Sequence, residues 1–241
     1  PDPHRHDCRD RDDPAFTDSR GVMMERLLCP SMMCANYGHL ADEVRALDDA
    51  GVDIFHCDIM DGTFVPNFTM GVMDVQTIRR YTDKLVDCHL MIENPSSKVD
   101  WFIKAGANII YIHPESERYV VKTLAHIKEM GAYAGIAVNP DTSVASISEI
   151  LNLCDYVLVM TVNPGFAGQG FIDFTRKKVQ QLIKLKEEYG FKVMIDGHCS
   201  PEVIEDLSSL GADGFILGSS ALFRKGRTYE ELIKELRGEQ E

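Results

Sequence analysis

Short runs of β-branched and other apolar residues alternate with amphipathic stretches from Leu27 almost to the end of the chain. The short runs predict buried strands, and apolar residues spaced three and four positions apart predict helices. The predicted strands are Leu27–Met33, Ile54–Met60, Leu85–Met91, Ile109–His113, Tyr133–Val138, Tyr156–Val162, Lys192–Asp196 and Gly214–Leu217. The predicted helices include Leu40–Ala50, Val99–Ala105, Tyr119–Met130, Val144–Leu153, Arg176–Tyr189, Pro201–Leu210 and Tyr229–Leu236.

This alternation predicts an α/β protein with a parallel sheet. Eight predicted strands and the lack of a distinct second domain favour a single (β/α)8 TIM barrel. The alternative is an open doubly wound sheet, which usually carries a Gly-x-Gly-x-x-Gly motif after its first strand. This chain has SMMCANYGHL after the first predicted strand. We therefore expect a barrel over residues 24–241, with its chemistry at the carboxyl ends of the strands.

Residues 1–23 do not share this pattern. They are polar, carry charges of both signs and include three prolines, a composition typical of disorder. We expect a disordered N-terminal extension or a segment added in cloning.

The overall charge narrows the classes of partner. A formal net charge of -13 argues against nucleic acid or an anionic membrane surface, because both require a basic patch.

No apolar run reaches the length that spans a bilayer, and residues 1–20 lack the apolar core of a signal peptide. Seven scattered cysteines are typical of reduced thiols, so we expect a cytoplasmic protein.

Metal-ligating side chains collect at the ends of three predicted strands. His56 and Asp58 lie two positions apart at the end of one strand and therefore point to the same face. His89 ends the next strand, and Asp196 ends the seventh. Two imidazoles and two carboxylates around one point suit a divalent cation, with Zn²⁺ first and Fe²⁺, Mn²⁺ or Co²⁺ as alternatives. The other interpretation is separate, hydrogen-bonded polar groups at strand ends.

A divalent cation between two carboxylates suits the removal of a proton beside a carbonyl group. The resulting enediolate carries negative charge, which a Lewis acid stabilises where it develops. Asp58 and Asp196 come from different parts of the predicted wall and could flank the plane of such a substrate. One carboxylate would remove a proton from one face and the other would return a proton to the opposite face, which inverts a stereocentre.

Apolar and hydroxyl side chains complete the predicted mouth of the barrel. Four methionines fall at strand ends with inward parity: Met33, Met60, Met91 and Met160. They are either flexible core filler or a water-poor cover over the reacting carbons. Ser31 either contacts a substrate hydroxyl or packs. We interpret His113 as structural or as a support for the site.

Glycine-containing loops follow the last three predicted strands. They contain Gly165, Phe166, Ala167 and Gly168, then Gly197 and His198, then Gly218, Ser219 and Ser220. Glycine lets backbone N–H groups approach an anion closely, and barrels often hold a phosphate after strands seven and eight. No Lys or Arg lies in these loops, so amides and hydroxyls would hold the phosphate. The alternative is plain tight turns.

Six motifs together resemble the ribulose-phosphate 3-epimerase family from about Leu27 to Phe223: CPSMMCANY, FHCDIMDGTFVPNFTMG, CHLM, MTVNPGFAGQGFI, the Asp-Gly of MIDGHCS, and GADGFILGSSALF. The resemblance implies a barrel that inverts carbon 3 of ketose phosphates with one divalent metal ion. It implies that the metal ligands are His56, Asp58, His89 and Asp196, with Asp58 as proton acceptor and Asp196 as donor for one direction. It further implies substrate contacts by Ser31, His89 and the four methionines, and a phosphate site in the three loops.

Two loops depart from the usual pentulose-phosphate pattern. Asp196-Gly197-His198-Cys199 stands where Asp-Gly-Gly-Val is typical, and Gly165-Phe166-Ala167-Gly168 stands where Gly-Phe-Gly-Gly is frequent. The chain thus looks closer to the D-allulose-6-phosphate 3-epimerase branch, whose substrates are D-allulose 6-phosphate and D-fructose 6-phosphate. His198 is unusual even there.

We therefore expect a ketose-phosphate 3-epimerase acting on D-allulose 6-phosphate, with ribulose-phosphate 3-epimerase as the alternative. A non-catalytic sugar-phosphate-binding barrel belongs to a different class. A metal-free barrel lyase would need a catalytic lysine at a strand end, and the predicted strand ends offer none. We expect a small-molecule ketose phosphate as the ligand, no nucleic-acid or membrane partner, and a homo-oligomer.

Overall fold

The computed structural model describes residues 26–239; the extension predicted for residues 1–23 lies outside that range. The strands are β1 (Leu27–Pro30), β2 (Ile54–Asp61), β3 (Phe68–Thr69), β4 (Leu85–Met91), β5 (Ile109–Ile112), β6 (Tyr133–Val138), β7 (Tyr156–Met160), β8 (Lys192–Asp196) and β9 (Gly214–Leu217). The α-helices are α1 (Leu40–Asp49), α2 (Val72–Arg80), α3 (Val99–Ala105), α4 (Val120–Glu129), α5 (Val144–Ile147), α6 (Thr175–Tyr189), α7 (Pro201–Leu210) and α8 (Tyr229–Arg237).

The strands form one sheet in the order β1-β9-β8-β7-β6-β5-β4-β2-β3. All neighbours are parallel except β3, which pairs antiparallel with β2. A parallel bridge between Ser31 and His56 joins the end of β1 to β2, so the curled sheet meets itself. The (β/α)8 barrel prediction is confirmed, and β3 is an addition beside the barrel wall.

Several predicted boundaries were wrong, and two elements, β3 and α2, were not named from the sequence. The first strand ends at Pro30, because residues Met32–Cys34 turn into a 3-10 helix. The predicted helix at Val144–Leu153 is α5 followed by a 3-10 helix. The strand β3 gives little sequence signal because it is only two residues long. The helix α2 is rich in β-branched residues, which favour strands. A hydrogen bond from Gly71 N–H to the Asp74 carboxylate, at 2.7 Å, starts α2.

Two apolar layers follow from the two faces of the strands. Cys57 and Ile59 of β2 point outward and pack in the layer between sheet and helices. Residues of the opposite parity fill the interior, where Ile54, Tyr111 and Leu158 belong to a separate cluster. Side chains along β2 therefore alternate between the two faces as predicted, with His56 and Asp58 pointing inward. Over residues 26–239, no helix has the length and apolar character needed to cross a bilayer.

A repeated contact holds the amino-terminal end of the barrel together. Four residues beside the starts of β2, β5, β7 and β9 each accept a backbone N–H of the neighbouring strand with a side-chain oxygen, at 2.7 to 3.0 Å. The pairs are Asp53 with Leu28, Asn108 with Val86, Asp155 with Ala134 and Asp213 with Val193. Their cationic contacts are, in the same order, Arg237, Arg79, Lys128 and Lys186. We call these four residues the amino-end clamps.

Candidate metal and active site

Four side chains converge at the carboxyl ends of three strands. His56 and Asp58 come from β2, His89 from β4 and Asp196 from the last position of β8. One ligand atom from each lies within 4.8 Å of all the others. Asp58 Oδ1 is 3.1 Å from His56 Nε2 and 3.3 Å from His89 Nδ1. Asp196 Oδ2 is 3.5 Å from His89 Nδ1 and 4.0 Å from His56 Nε2.

These separations fit the donor set of a divalent cation. Zinc bonds to nitrogen and oxygen are about 2.0 to 2.1 Å long, which places neighbouring ligands of a tetrahedron about 3.3 to 3.4 Å apart. The four observed donor–donor distances run from 3.1 to 4.0 Å. A cluster with two carboxylates and two imidazoles therefore has both the size and the chemistry for such an ion.

The environment keeps Asp58 ionised. Burial by itself raises the pKa of Asp58, but the imidazoles of His56 and His89 outweigh it and hold the pKa well below its usual range. The Ser31 hydroxyl donates a hydrogen bond to Asp58 Oδ2 at 2.6 Å. Asp58 is buried, whereas the Asp196 side chain is 16% exposed. Both carboxylates line the pocket above the cluster.

Two further buried side chains stand behind the histidines. Asp87 Oδ1 lies 2.6 Å from His56 Nδ1, and His113 Nε2 lies 2.8 Å from His89 Nε2. Burial raises the pKa of Asp87 despite the nearby His56. For His113 burial lowers the pKa to about 4, against the opposing effect of Glu115. Sequence reasoning missed Asp87, although it precedes His89 by two positions on β4 and so shares its inward face.

Methionines cover one side of the pocket. Met60 and Met91 form a buried apolar cluster with Val65, and Met33 packs against it. Met160 also lines the pocket. Met33 reaches this position from the 3-10 helix after β1 and not, as its predicted strand parity required, from the strand itself. All four methionines named from the sequence thus line the pocket that also contains Asp58 and Asp196.

The three glycine loops also line this pocket. Its lining includes every residue predicted for the phosphate: Gly165, Phe166, Ala167, Gly168, Gly197, His198, Gly218, Ser219 and Ser220. Gly197 has φ +126°, and a Cβ there would lie 2.7 Å from the backbone nitrogen of Val162. Only glycine fits this close approach of two backbones.

Side chains join these loops to one another. His198 Nδ1 donates to the backbone carbonyl of Gln169 at 3.0 Å, which links the loop after β8 to the loop after β7. Gln169 Nε2 donates in turn to the carbonyl of Asn163 at 2.6 Å. Asn67 Nδ2 donates to the carbonyl of Gly165 at 2.7 Å from the loop after β2. Asn67 thus joins the loop after β2 to the loop after β7.

Comparison with known proteins identifies the family to which this chain belongs. The profile described as the Ribulose-phosphate 3 epimerase family matches residues 27–223. The chain belongs to this family. Its members are isomerases, and the residues that match include every strand of the barrel.

Similar proteins with assigned names are ribulose-phosphate 3-epimerases, and this chain aligns with most of their length. The chloroplastic ribulose-5-phosphate-3-epimerase of Arabidopsis thaliana is 39% identical over 88% of this chain and 76% of that protein. The ribulose-phosphate 3-epimerase of Aquifex aeolicus is 40% identical over 80% of this chain and 88% of its own. The Escherichia coli enzyme of the same name is 36% identical over 90% and 97%.

Solved structures show that other sugar-phosphate enzymes share the fold of this epimerase family member. The 3-keto-L-gulonate-6-phosphate decarboxylase of Vibrio cholerae superposes with a TM-score of 0.66 at 17% identity, covering 89% of this chain and 97% of that one. A 3-hexulose-6-phosphate synthase gives 0.62 at 15%, covering 88% and 98%. At these identities the likeness concerns the barrel alone.

Proposed function

We propose that this chain is a metal-dependent ribulose-phosphate 3-epimerase that interconverts D-ribulose 5-phosphate and D-xylulose 5-phosphate. The observation that carries the proposal is the convergence of His56, Asp58, His89 and Asp196 within 4.8 Å at one mouth of the barrel. All four come from residues that match the family profile. Zn²⁺ is the proposed ion, because its preferred ligands and distances fit this donor set.

The two carboxylates perform the acid–base chemistry. Asp58 accepts the proton from C3 on one face of the substrate, and Asp196 delivers a proton to the opposite face in the same direction of turnover. When bound, the divalent ion supplies Lewis-acid stabilisation of the enediolate charge. Ser31 holds the second oxygen of Asp58 through its 2.6 Å hydrogen bond, which fixes the direction from which Asp58 approaches.

The apolar side of the pocket protects the intermediate from water. The pocket that contains the two carboxylates is also lined by thioether side chains without N–H or O–H groups, those of Met33, Met60, Met91 and Met160. A site that excludes water strengthens electrostatic stabilisation of the developing charge. Of the two interpretations of these methionines, core filler and a water-poor cover, we therefore favour a cover over the reacting carbons.

The glycine loops hold the substrate phosphate. No Lys or Arg is among the described residues that line the pocket, so backbone N–H groups and the hydroxyls of Ser219 and Ser220 bind the anion. Gly197 and His198 both adopt positive φ, and the missing side chain of Gly197 lets the backbone approach an anion closely.

The curated relatives favour the pentulose phosphate over the hexulose phosphate preferred from the sequence. Those named above are ribulose-phosphate 3-epimerases, including members 36 to 40% identical to this chain. D-Allulose 6-phosphate stays the second candidate because His198 and Ala167 depart from the usual pentulose pattern at the phosphate loops. The cytoplasmic location and the homo-oligomer stay predictions.

One assay tests the proposal. Purified protein loaded with Zn²⁺ is given ribulose 5-phosphate or allulose 6-phosphate in D₂O, and both kcat/KM and deuterium at C3 are measured. We expect kcat/KM at least about tenfold higher for ribulose 5-phosphate, a difference of about 1.4 kcal/mol in transition-state stabilisation. A reversed preference would assign the hexulose phosphate, and no turnover of either sugar would leave the non-catalytic binder.

A further inference from the structure

The two histidines of the metal cluster use different ring nitrogens. His56 presents Nε2 to the cluster and Nδ1 to the buried carboxylate of Asp87. His89 is turned the other way, with Nδ1 toward Asp58 and Asp196 and Nε2 toward His113. The four side chains in these two outward contacts are fully buried: His56, Asp87, His89 and His113.

Counting hydrogens fixes the tautomer of each ring. A nitrogen that binds a cation gives up its lone pair, so the other nitrogen of a neutral imidazole carries the hydrogen. His89 Nε2 must therefore donate, and the 2.8 Å contact with His113 Nε2 has room for one hydrogen. His113 Nε2 is then an acceptor, and its own hydrogen lies on Nδ1. The carboxylate oxygen Oε2 of Glu115 lies 3.6 Å from that nitrogen, which is beyond hydrogen-bond length.

The surroundings of His113 hold its ring in place. The Phe64 ring packs against it with centroids 4.8 Å apart, and the His89 ring lies 5.0 Å away. His113 directly follows β5, which pairs with β4, the strand that carries His89. An acceptor is thus placed opposite the outward nitrogen of His89, at the carboxyl end of β5.

We propose that His113 is a positioning residue for the metal site, which accepts the His89 Nε2–H and so reserves His89 Nδ1 for the ion. Asp87 Oδ1, 2.6 Å from His56 Nδ1, has the corresponding place behind the other histidine. The inference rests on the metal-dependent function proposed above. It adds that the two imidazole ligands are supported unequally, one by a carboxylate and one by a neutral imidazole.

Three variants separate this role from simple packing. His113→Phe keeps a flat ring but removes the acceptor, which leaves a buried N–H of His89 without a partner. His113→Gln restores an acceptor oxygen on a flexible side chain. Glu115→Gln is the matched control, because it removes charge from the neighbour of His113 and leaves the His89 contact intact.

The main readout is the Zn²⁺ dissociation constant of the metal-free protein, measured by competition with a chelator and without substrate. Loss of a partner that orients a metal ligand typically costs about 10- to 100-fold in affinity. We expect that loss for His113→Phe, about fivefold or less for His113→Gln and about twofold or less for Glu115→Gln. Equal Zn²⁺ affinity of folded His113→Phe and the unchanged protein overturns the proposal, as does Gln no better than Phe.

A measurement on the unchanged protein keeps the test decisive if His113→Phe does not fold. Two-bond ¹H–¹⁵N spectra of the Zn²⁺-loaded protein identify which nitrogen of each histidine is protonated. We expect hydrogen on Nδ1 of His56, Nε2 of His89 and Nδ1 of His113; hydrogen on Nε2 of His113 contradicts the inference. A protein that binds no Zn²⁺ would instead refute the metal dependence itself, so the two failures are distinguishable.

Discussion

At the amino-terminal end of the barrel, the carboxylates of Asp53, Asp155 and Asp213 each contact both a backbone N–H and a cationic side chain. At the carboxyl end, Asp58 and Asp196 share two imidazoles and face a pocket without Lys or Arg among its described lining residues. The first set is compensated by Arg or Lys side chains, whereas the second contacts only imidazoles, which are themselves metal ligands in the proposed site. Carboxylates without an Arg or Lys partner therefore mark the end that receives a cation.

The largest expected effect is at the carboxyl end. Asp196→Asn removes the proposed proton donor, so kcat/KM should fall at least about 10³-fold, or about 4 kcal/mol, with deuterium incorporation at C3 lost. Bound zinc is measured in the same preparation, because the amide oxygen can still ligate. Near-normal turnover in this variant would refute the two-carboxylate scheme and remove the contrast between the ends.

The second prediction concerns an amino-end clamp. Asp213→Ala removes the acceptor for Val193 N–H at 2.7 Å and the contact with Lys186 at 2.8 Å. Because Asp213 is buried, we expect a loss of about 2 to 3 kcal/mol in the free energy of unfolding and kcat/KM within about twofold of the unchanged protein. Urea unfolding and steady-state kinetics check both. A large loss of activity without a loss of stability would contradict the division between the two ends.

Much of this division is legible in the sequence. The period of two placed His56, Asp58 and His89 on inward faces, and the alternation of strands and helices predicted which strand ends meet. The clamps were not predicted, because an Asp before a strand looks like an ordinary solvated turn residue until its N–H partner on another strand is known. Asp87 was missed for a related reason: its partner His56 lies on a neighbouring strand.

A smaller effect is expected at His198, which lies in the loop after β8 and lines the pocket. His198→Gly keeps the positive φ but removes the hydrogen bond to the Gln169 carbonyl, whereas His198→Asn tolerates the same φ and keeps an N–H donor. We expect KM to rise about fivefold in the glycine variant, about 1 kcal/mol, and about twofold or less in the asparagine variant. A fall in kcat with unchanged KM would argue against a role in binding the phosphate.

The smallest effect is expected at Asn108, the one amide among the amino-end clamps. Asn108→Asp places a carboxylate beside Arg79 Nη1, which now lies 3.0 Å from the amide oxygen. The guanidinium lowers the pKa of the introduced carboxyl, so the gain is present above about pH 4 and is lost as the pH falls further. We expect about 0.5 kcal/mol, measured by urea unfolding at pH 7 and pH 3.5. Destabilisation at pH 7 would show that the clamps do not act through charge.

The methionine cover over the carboxylates has a chemical consequence. Thioethers oxidise to sulfoxides, which convert an apolar side chain into a polar, chiral one. Met33 is the least buried of the four, whereas Met60, Met91 and Met160 are almost fully enclosed. Of the four methionines, Met33 should therefore be the one that peroxide oxidises first. A methionine sulfoxide reductase would then be needed to reduce its sulfoxide.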